Sequence, residues 1–323
     1  MQLYQKRDFG SLITDTFNFF KENGKNYFKN FIMLNGILII LLVALYVVGY
    51  KSIFSQLMGS NMEGDSSYFE EYFQANMGFF IVFAVAFFVL FFIMIMMVYT
   101  FPVLYLKRYG ESKDKNIQLN DILSDMKQNF GRFILFCMGL TFIILPLMAM
   151  LLGISFLLIF IIIGIFLILF IVPLISNVMS FTLYDYFNRK DGFFSSFSYA
   201  IRSQFSYSNA NNGSPFWKYW GSTAVVMFII QIITGLFSLI PVVIMTTSLL
   251  TVPDVDKVNS MNNFFDSTMG IIYFASYGLS ILVSLLLSNM VYVNSGFLYY
   301  DSREDLHRKE DLLEIDSIGN REE

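Results

Sequence analysis

Residues 78–106 read GFFIVFAVAFFVLFFIMIMMVYTFPVLYL, and this stretch decides the class of fold. It runs from Gly78 to Leu106 without a charged side chain. An α-helix needs roughly 20 residues to cross the ~30 Å hydrocarbon core of a bilayer. A helix that is apolar on every face is typical of a membrane span rather than of a helix on the surface of a soluble protein. We therefore predict a transmembrane helix here.

Five further stretches meet the same criterion, so we predict an all-α integral membrane protein with six transmembrane helices. The predicted spans are residues 31–50, 78–106, 133–152, 155–184, 219–247 and 271–292. The third and fourth spans have almost no polar spacer, and we place a tight turn between them at Gly153, Ile154 and Ser155. Composition agrees, since only 14% of the residues are charged, against about 25% in soluble domains.

The distribution of lysine and arginine predicts the orientation of the chain. With the N-terminus inside, all but two of the 21 Lys and Arg residues are cytoplasmic, and only Lys51 and Lys257 fall on external loops. The acidic residues predicted on those loops are Glu63, Asp65, Glu70, Glu71, Asp254, Asp256 and Asp266. Cytoplasmic loops retain Lys and Arg. We therefore predict a protein of the bacterial cytoplasmic (inner) membrane with both termini cytoplasmic.

Residue types that dominate catalysis and metal binding are scarce. Cys137 is the only cysteine and His307 the only histidine, and they lie far apart in the sequence. This excludes common zinc sites within the chain. No nucleophile or acid–base pair is visible near a predicted membrane interface, and the net charge of -4 comes without a basic cluster for nucleic acid. We predict no cofactor, no metal, no nucleic-acid partner and no enzyme activity, with lipid modification as the least favoured alternative.

Three polar segments carry apolar side chains in one shared helical register. The residues at offsets 0, 3, 4, 7 and 11 are Phe9, Leu12, Ile13, Thr16 and Phe20, then Leu119, Ile122, Leu123, Met126 and Phe130, then Phe194, Phe197, Ser198, Ile201 and Phe205. These offsets lie on one face of a helix. Segments too polar to span a membrane but with an apolar stripe are typical of helices in the headgroup plane. We therefore predict three cytoplasmic interfacial amphipathic helices.

The even-numbered spans favour an internal repeat. Each ends in a Leu-Tyr pair, at residues 104–105, 183–184 and 298–299, and soon reaches a charged residue. An interfacial helix followed by two spans is thus the unit of a threefold internal repeat, at about residues 8–106, 116–187 and 192–300. The alternative is a register shared by chance. We predict one transmembrane domain over residues 1–300 and a charged cytoplasmic tail over residues 301–323. The tail is either a docking helix or a disordered segment.

Four stretches resemble a known group of proteins. They are DFGSLITDTF at 8–17, YFKNF at 27–31, LEIDSIG at 313–319, and residues 173–202, where a proline late in span four precedes a Ser-rich helix. This pattern resembles uncharacterised bacterial six-span membrane proteins related to the membrane domain found beside some glycerophosphodiester phosphodiesterases. The resemblance implies the six-span fold over nearly the whole chain. It carries over no catalytic residue, because the phosphodiesterase domain is absent from this sequence.

Two sets of polar residues inside spans are candidate functional features. Span six carries Ser276, Ser280, Ser284 and Ser288 at successive i+4 positions, followed by Asn289. Small hydroxyl residues either line a polar groove or let helices pack closely, and we favour packing. In span four, Pro173 lies one turn before Asn177 and leaves a backbone carbonyl of the preceding turn without its usual donor. This indicates either a kink that forms part of a substrate path or an ordinary kinked helix, and we favour the ordinary helix.

The absence of ionisable side chains within the predicted spans disfavours ion-coupled transport. Lys107 and Asp185 fall at the cytoplasmic ends of spans, where we expect contact with headgroups. The leading hypothesis is a non-enzymatic scaffold or accessory subunit of a membrane protein complex, whose partners are the lipid bilayer and other membrane proteins. The alternative is a carrier or flippase for a lipid-like or small amphiphilic substrate that uses the serine stripe and Pro173.

Overall fold

The computed structural model of the protein describes residues 2–63, 66–111, 116–206, 214–250, 264 and 267–303, without the side chains of 50–69 and 249. The α-helices of these ranges are α1 (Phe9–Glu63), α2 (Ser66–Ala75), α3 (Met77–Glu111), α4 (Leu119–Gln128), α5 (Phe130–Gly139), α6 (Leu145–Leu157), α7 (Ile163–Arg189), α8 (Phe193–Phe205), α9 (Phe216–Leu250) and α10 (Thr268–Ser302). No strand occurs among the described residues, so the all-α class is confirmed.

Six helical segments of the described chain are long and apolar enough to cross a membrane. They are Phe9–Gly49, Met77–Glu111, Phe130–Ile161, Ile163–Arg189, Phe216–Ser248 and Thr268–Ser302. Each overlaps most of one of the six stretches predicted from hydropathy, which confirms the number and order of the predicted spans, although residues 155–161, predicted as the start of span four, belong to the third segment. The helices extend beyond the predicted apolar cores because a helix continues through polar flanks until a cap or a breaker ends it.

The first predicted interfacial helix is not separate from the first span. Helix α1 begins at Phe9 and runs without a break through both segments. Asp8 begins it as an N-cap, since the Ser11 backbone N–H donates to Asp8 Oδ1 at 2.6 Å. The connecting residues 21–30 hold no proline, and the single glycine, Gly24, costs only about 1 kcal/mol in a helix interior. The other two predicted segments are distinct helices, α4 and α8.

The turn between spans three and four lies further along the chain than predicted. Helix α6 passes through Gly153 and Ser155, and the chain reverses in a 3₁₀ turn at Leu158–Ile161. Ile162 then adopts a left-handed φ of 68° before α7 begins. The reversal depends on Gly164, because a Cβ there would collide with the Ser155 carbonyl oxygen and the Ile159 backbone nitrogen. The predicted turn at residues 153–155 was therefore wrong, and the close backbone approach at Gly164 explains why.

The chain divides into two compact units. The first comprises Met1–Phe31, Val98–Ile229 and Ser288–Glu323. Its core holds the three Leu-Tyr pairs that end the even-numbered spans, and all six of these side chains are buried: Leu104, Tyr105, Leu183, Tyr184, Leu298 and Tyr299. The predicted repeat signature is thus part of a packed core, because a tyrosine buries a large ring while its hydroxyl can reach a polar partner.

The second unit comprises Ile32–Met97 and Ile230–Leu287. Among its described side chains, Tyr46 and Tyr277 stack with ring centroids 5.8 Å apart. The Phe83 ring packs so closely on Gly49 that a Cβ would collide with it. Asn35, a polar residue predicted inside span one, is fully buried in this unit.

Several predictions fall outside the described residues or side chains. They concern the tail beyond Arg303, which includes His307, and the loop residues Lys51, Glu63, Asp65, Asp254, Asp256, Lys257 and Asp266. These remain predictions.

Candidate functional site

The serine stripe of the sixth span does not have one environment. In the second unit, the Ser276 hydroxyl donates to the Tyr273 carbonyl at 2.8 Å. Ser280 is buried and exchanges a hydrogen bond of 2.8 Å with Ser238 on α9, whereas Ser284 is exposed. The pair of Ser280 with Ser238 is an interhelical contact of the packing type.

The last two residues of the stripe belong to the first unit. Asn289 is fully buried and accepts a hydrogen bond of 2.9 Å from the Tyr27 hydroxyl. Ser288 lines a cavity, which is described below. The five stripe residues are thus divided between the two units and have different neighbours in each.

Pro173 and Asn177 are both buried inside α7, as part of the first unit. The indole N–H of Trp220 donates at 2.8 Å to the carbonyl of Phe170, in the turn that precedes the proline. A proline removes the hydrogen bond to the carbonyl four residues earlier, here that of Leu169, and Trp220 supplies an outside donor to the adjacent carbonyl in the same turn. The Asn177 Oδ1 atom accepts from the Thr223 hydroxyl at 2.7 Å. Its buried Nδ2 atom has no hydrogen-bond partner among the described residues.

Asn294 is the centre of a buried polar network that the sequence did not reveal. Its Nδ2 atom lies 3.0 Å from the hydroxyls of Thr16 and Ser222 and 3.2 Å from the Leu12 carbonyl. The Thr223 hydroxyl lies 3.4 Å from its Oδ1 atom and also donates to Asn177. The network therefore joins helices α1, α7, α9 and α10. An amide inside an apolar helix was the available signal, since such residues usually find partners on neighbouring helices.

A cavity of about 320 Å³ also lies in the first unit. Its wall consists of Tyr99, Met148, Leu152, Val172, Ile175, Ser176, Met179, Met227, Ser288, Val291 and Tyr292. These residues come from α3, α6, α7, α9 and α10, and Ser176 directly precedes Asn177. A volume of this size is at the lower end of the range of small-molecule sites.

The chemistry of the wall suits an uncharged amphiphile. Three methionines, Met148, Met179 and Met227, provide flexible thioether side chains that adapt to an irregular ligand. The polar atoms are hydroxyl oxygens, and the rings of Tyr99 and Tyr292 lie 4.6 Å apart at the wall. No residue that lines the cavity is charged. The cavity therefore offers van der Waals contact and a few hydrogen-bonding groups, but nothing to pair with an ion.

Asp185 is buried rather than in contact with headgroups, which corrects the prediction for this residue. It is fully excluded from solvent, and its Oδ1 atom accepts from the Tyr299 hydroxyl at 3.3 Å. The guanidinium groups of Arg303 and Arg189 lie 3.8 and 3.9 Å away. The packing of α7 against α8 and α10 covers a carboxylate that sequence position alone placed at a membrane face. Lys107 is half-buried and donates to the Phe187 carbonyl at 3.4 Å.

Asp301 is the second buried carboxylate of the first unit. Its Oδ2 atom accepts from Lys218 Nζ and from the Tyr219 hydroxyl, both at 2.6 Å. Its Oδ1 atom accepts from the backbone N–H of Arg7, also at 2.6 Å. Residues 2–7 are held there because the Arg7 guanidinium also binds the Asp15 carboxylate at 2.8 Å. The sequence identified Asp301 only as a charge that follows a Leu-Tyr pair.

The described residues contain no group of three or more His, Cys, Asp or Glu side chains placed to bind a metal ion. Cys137 is a buried free thiol. Glu70 is exposed and accepts from Gln74 on the next turn of α2, in the manner of a solvated helix face.

Comparison with known proteins adds no family to this picture. No protein-family model, no curated protein and no solved structure matches the chain. The six-span resemblance drawn from the sequence therefore stays an expectation, and what is established is a multi-pass helical architecture of the membrane type.

Proposed function

We propose that this protein is a non-enzymatic membrane carrier that accommodates a lipid-like or small amphiphilic molecule in the cavity of the first unit. The observation that carries the proposal is the wall itself, where methionines and hydroxyls from five helices line an open cavity of about 320 Å³ without a charged side chain. Ion-coupled transport is not part of the proposal, because that mechanism uses ionisable groups along the substrate path.

A matched pair of substitutions on α6 tests the carrier proposal. Met148→Trp fills the cavity, whereas Met150→Trp makes the same change on an exposed position of the same helix. The purified protein is reconstituted into liposomes with a fluorescent phospholipid, and movement of that lipid between leaflets is followed by dithionite quenching. We expect Met148→Trp to slow the movement about tenfold and Met150→Trp to leave it unchanged.

Two outcomes contradict the carrier proposal. One is a wild-type protein that moves no lipid above the rate of empty liposomes and releases no bound amphiphile on extraction. The other is equal activity of the two tryptophan variants, since a filled cavity then has no consequence. Thermal unfolding of both variants in detergent separates loss of function from loss of folding.

The membrane arrangement of the proposal has both termini cytoplasmic and α8 in the headgroup plane. The distribution of Lys and Arg supports the first part. The exposure of Phe194, Ile201 and Phe205 on α8 supports the second, because its small and polar residues face the protein instead. Those buried residues are Ser196, Ala200, Ser203 and Gln204. An interfacial helix buries apolar side chains among the lipids in this way.

The threefold repeat is also part of the proposal. Asp15 and Asp125, which occupy the same offset of the first two apolar stripes, each accept from an arginine. Arg7 Nε lies 2.8 Å from Asp15, and Arg108 Nε lies 2.6 Å from Asp125. The third copy of the repeat has Ala200 at that offset, so this pairing supports a relation between the first two copies of the repeat most directly.

The scaffold hypothesis stays a prediction with its own test. The exposed apolar surfaces of the protein do not require protein partners, because contact with lipid explains them. Affinity purification in mild detergent discriminates it from the carrier, since a scaffold brings stoichiometric membrane proteins with it and a carrier brings bound lipid alone.

A further inference from the structure

A second cavity in the first unit combines a cationic rim with an apolar wall. It is an open cavity of about 580 Å³ between α5, the π-helical turn at Leu140–Ile144, the end of α7 and the start of α8. Arg132 and Lys190 stand at its polar side, and Leu135, Met138 and Phe142 form much of its apolar side. It shares no residue with the carrier cavity.

Backbone carbonyls fix Arg132 in place, and it has no acidic partner among the described residues. Its Nη1 atom donates to the Lys190 carbonyl at 3.0 Å, and its Nη2 atom donates to the carbonyls of Tyr186 and Asp191. Its guanidinium also lies 4.1 Å from the centre of the Tyr186 ring. Its buried Nε atom has no hydrogen-bond partner among the described residues. Arg132 therefore caps the end of α7, and no carboxylate in the described part of the chain neutralises its charge.

The N-terminus of α8 adds to the positive potential. Its N-cap is Gly192, which has no side chain to satisfy the first N–H groups of the helix. Free N–H groups and the helix dipole make such an end favourable for an anion. Lys190 is exposed beside it. The one carboxylate at the cavity, Asp191, is paired with Arg189 at 2.9 Å and so opposes an anion only weakly.

The apolar side indicates that the anion carries a hydrocarbon chain. Leu135, Met138 and Phe142 are all exposed, and the Phe193 ring packs on Gly139 at the cavity floor. The wall includes a π-helical turn, a feature that is frequent at functional sites. A free phosphate ion would use the rim alone, whereas a phospholipid would use both sides.

We propose that this cavity binds an anionic phospholipid, with the phosphate against Arg132, Lys190 and the first N–H groups of α8, and an acyl chain along Leu135, Met138 and Phe142. The site lies at the ends of spans that carry the predicted cytoplasmic loops, where anionic lipids concentrate. It is separate from the carrier function and does not depend on it.

Native mass spectrometry of the full-length protein with added phosphatidylglycerol or phosphatidylcholine tests this proposal. We expect wild type to retain phosphatidylglycerol in preference. Lys190→Gln should weaken its binding about fivefold, the contribution of one cation near an anionic membrane surface. Lys127→Gln removes a lysine of α4 that is also exposed but does not line the cavity, and should have no effect. Met138→Trp should block binding by filling the apolar side.

Arg132→Gln gives the larger expected loss, of about tenfold or more, and its folding is checked by size-exclusion chromatography because the residue also caps α7. Equal retention of the two lipids overturns the proposal, as does unchanged binding in both Lys190→Gln and Met138→Trp. Inorganic phosphate that binds as tightly as the lipid also overturns it, since the apolar side then contributes nothing. Met148→Trp should keep this binding, which separates the site from the carrier cavity.

Discussion

The two buried carboxylates of the first unit, Asp301 and Asp185, differ in the number and length of the hydrogen bonds that they accept. Asp301 and Asp185 each lie shortly after a Leu-Tyr pair, and neither is accessible to solvent. Asp301 accepts three hydrogen bonds of 2.6 Å, one of them from a lysine. Asp185 accepts one of 3.3 Å from Tyr299, and beyond the weak contact of the Ser196 hydroxyl its Oδ2 atom has no hydrogen-bond partner within standard distance and angle among the described residues.

This difference separates a structural clamp from a poorly compensated charge. A buried ion is stable only when short hydrogen bonds replace its lost hydration. The arginines near Asp185 have better partners elsewhere, since Arg189 pairs with Asp191 at 2.9 Å and Arg303 donates to the Tyr299 hydroxyl at 2.8 Å. We therefore infer that Asp301 contributes to stability and that Asp185 contributes little.

The largest effect is expected for Asp301→Asn. The substitution leaves Lys218 without its carboxylate and should lower the free energy of unfolding by about 3–5 kcal/mol. Unfolding of the purified protein in detergent, followed by tryptophan fluorescence, measures this change. A loss below about 1 kcal/mol would show that the clamp is not stabilising, as in the median surface ion pair.

A smaller effect is expected when one donor is removed from each carboxylate. Tyr219→Phe deletes a hydrogen bond of 2.6 Å to Asp301 and should cost about 1.5–3 kcal/mol. Tyr299→Phe deletes the 3.3 Å bond to Asp185 and should cost less, about 1 kcal/mol. The same unfolding measurement ranks the two variants, and the reverse order would contradict the comparison. In a double-mutant cycle, Tyr219→Phe should add almost nothing to Asp301→Asn.

Asp185→Asn is expected to change stability by only about 0–1 kcal/mol, of either sign. An amide of the same shape avoids the cost of burying a charge while losing only weak ion pairs. A destabilisation as large as that of Asp301→Asn would show that Asp185 is fully compensated in the folded protein.

The smallest effect is expected at Asp8, the N-cap of α1. Hydrogen bonds from the Ser11 hydroxyl and the Ser11 backbone N–H hold the pKa of Asp8 below its ordinary value of 3.8. A lowered pKa in the folded state means that the stabilisation is present above pH 3.8 and is lost as the pH falls through the folded-state pKa. When the pH is lowered from about 5 to 3, the melting temperature of wild type should thus fall slightly more than that of Asp8→Asn. Equal decreases in the two proteins would contradict the role of ionised Asp8 as a stabilising N-cap of α1.

Hydropathy was sufficient for the six spans because a helix that buries apolar side chains in lipid needs only length and composition. It failed at the turn between spans three and four, since the deciding contact is between the Gly164 backbone and the Ser155 carbonyl. Hydropathy also led to the prediction of a separate helix at residues 9–20, because the polar residues that follow look like the end of a helix. The helix in fact continues through them into the first span. The shared apolar register identified α4 and α8 as helices but did not show which face each one buries.

The candidate sites were less accessible to sequence reasoning. Pro173 and Asn177 were identified, but their neighbours Trp220 and Thr223 were not. Asn294 stood out only as an amide inside an apolar helix, which does not reveal its partners, and Arg132 has no local signal that distinguishes a helix cap from any other basic residue. Their roles depend on contacts between residues far apart in the chain, such as the hydrogen bonds of Asn294 to α1 and α9.

The sequence by itself determined a helical membrane protein with six spans and a tyrosine at the end of every second one, because solvent transfer and helix length act locally. The tertiary structure alone decided which polar groups meet, which carboxylate is compensated, and where the two cavities lie. These properties follow from the packing of several helices against one another, and the free energy of a buried polar group depends on its partners rather than on its position in the chain.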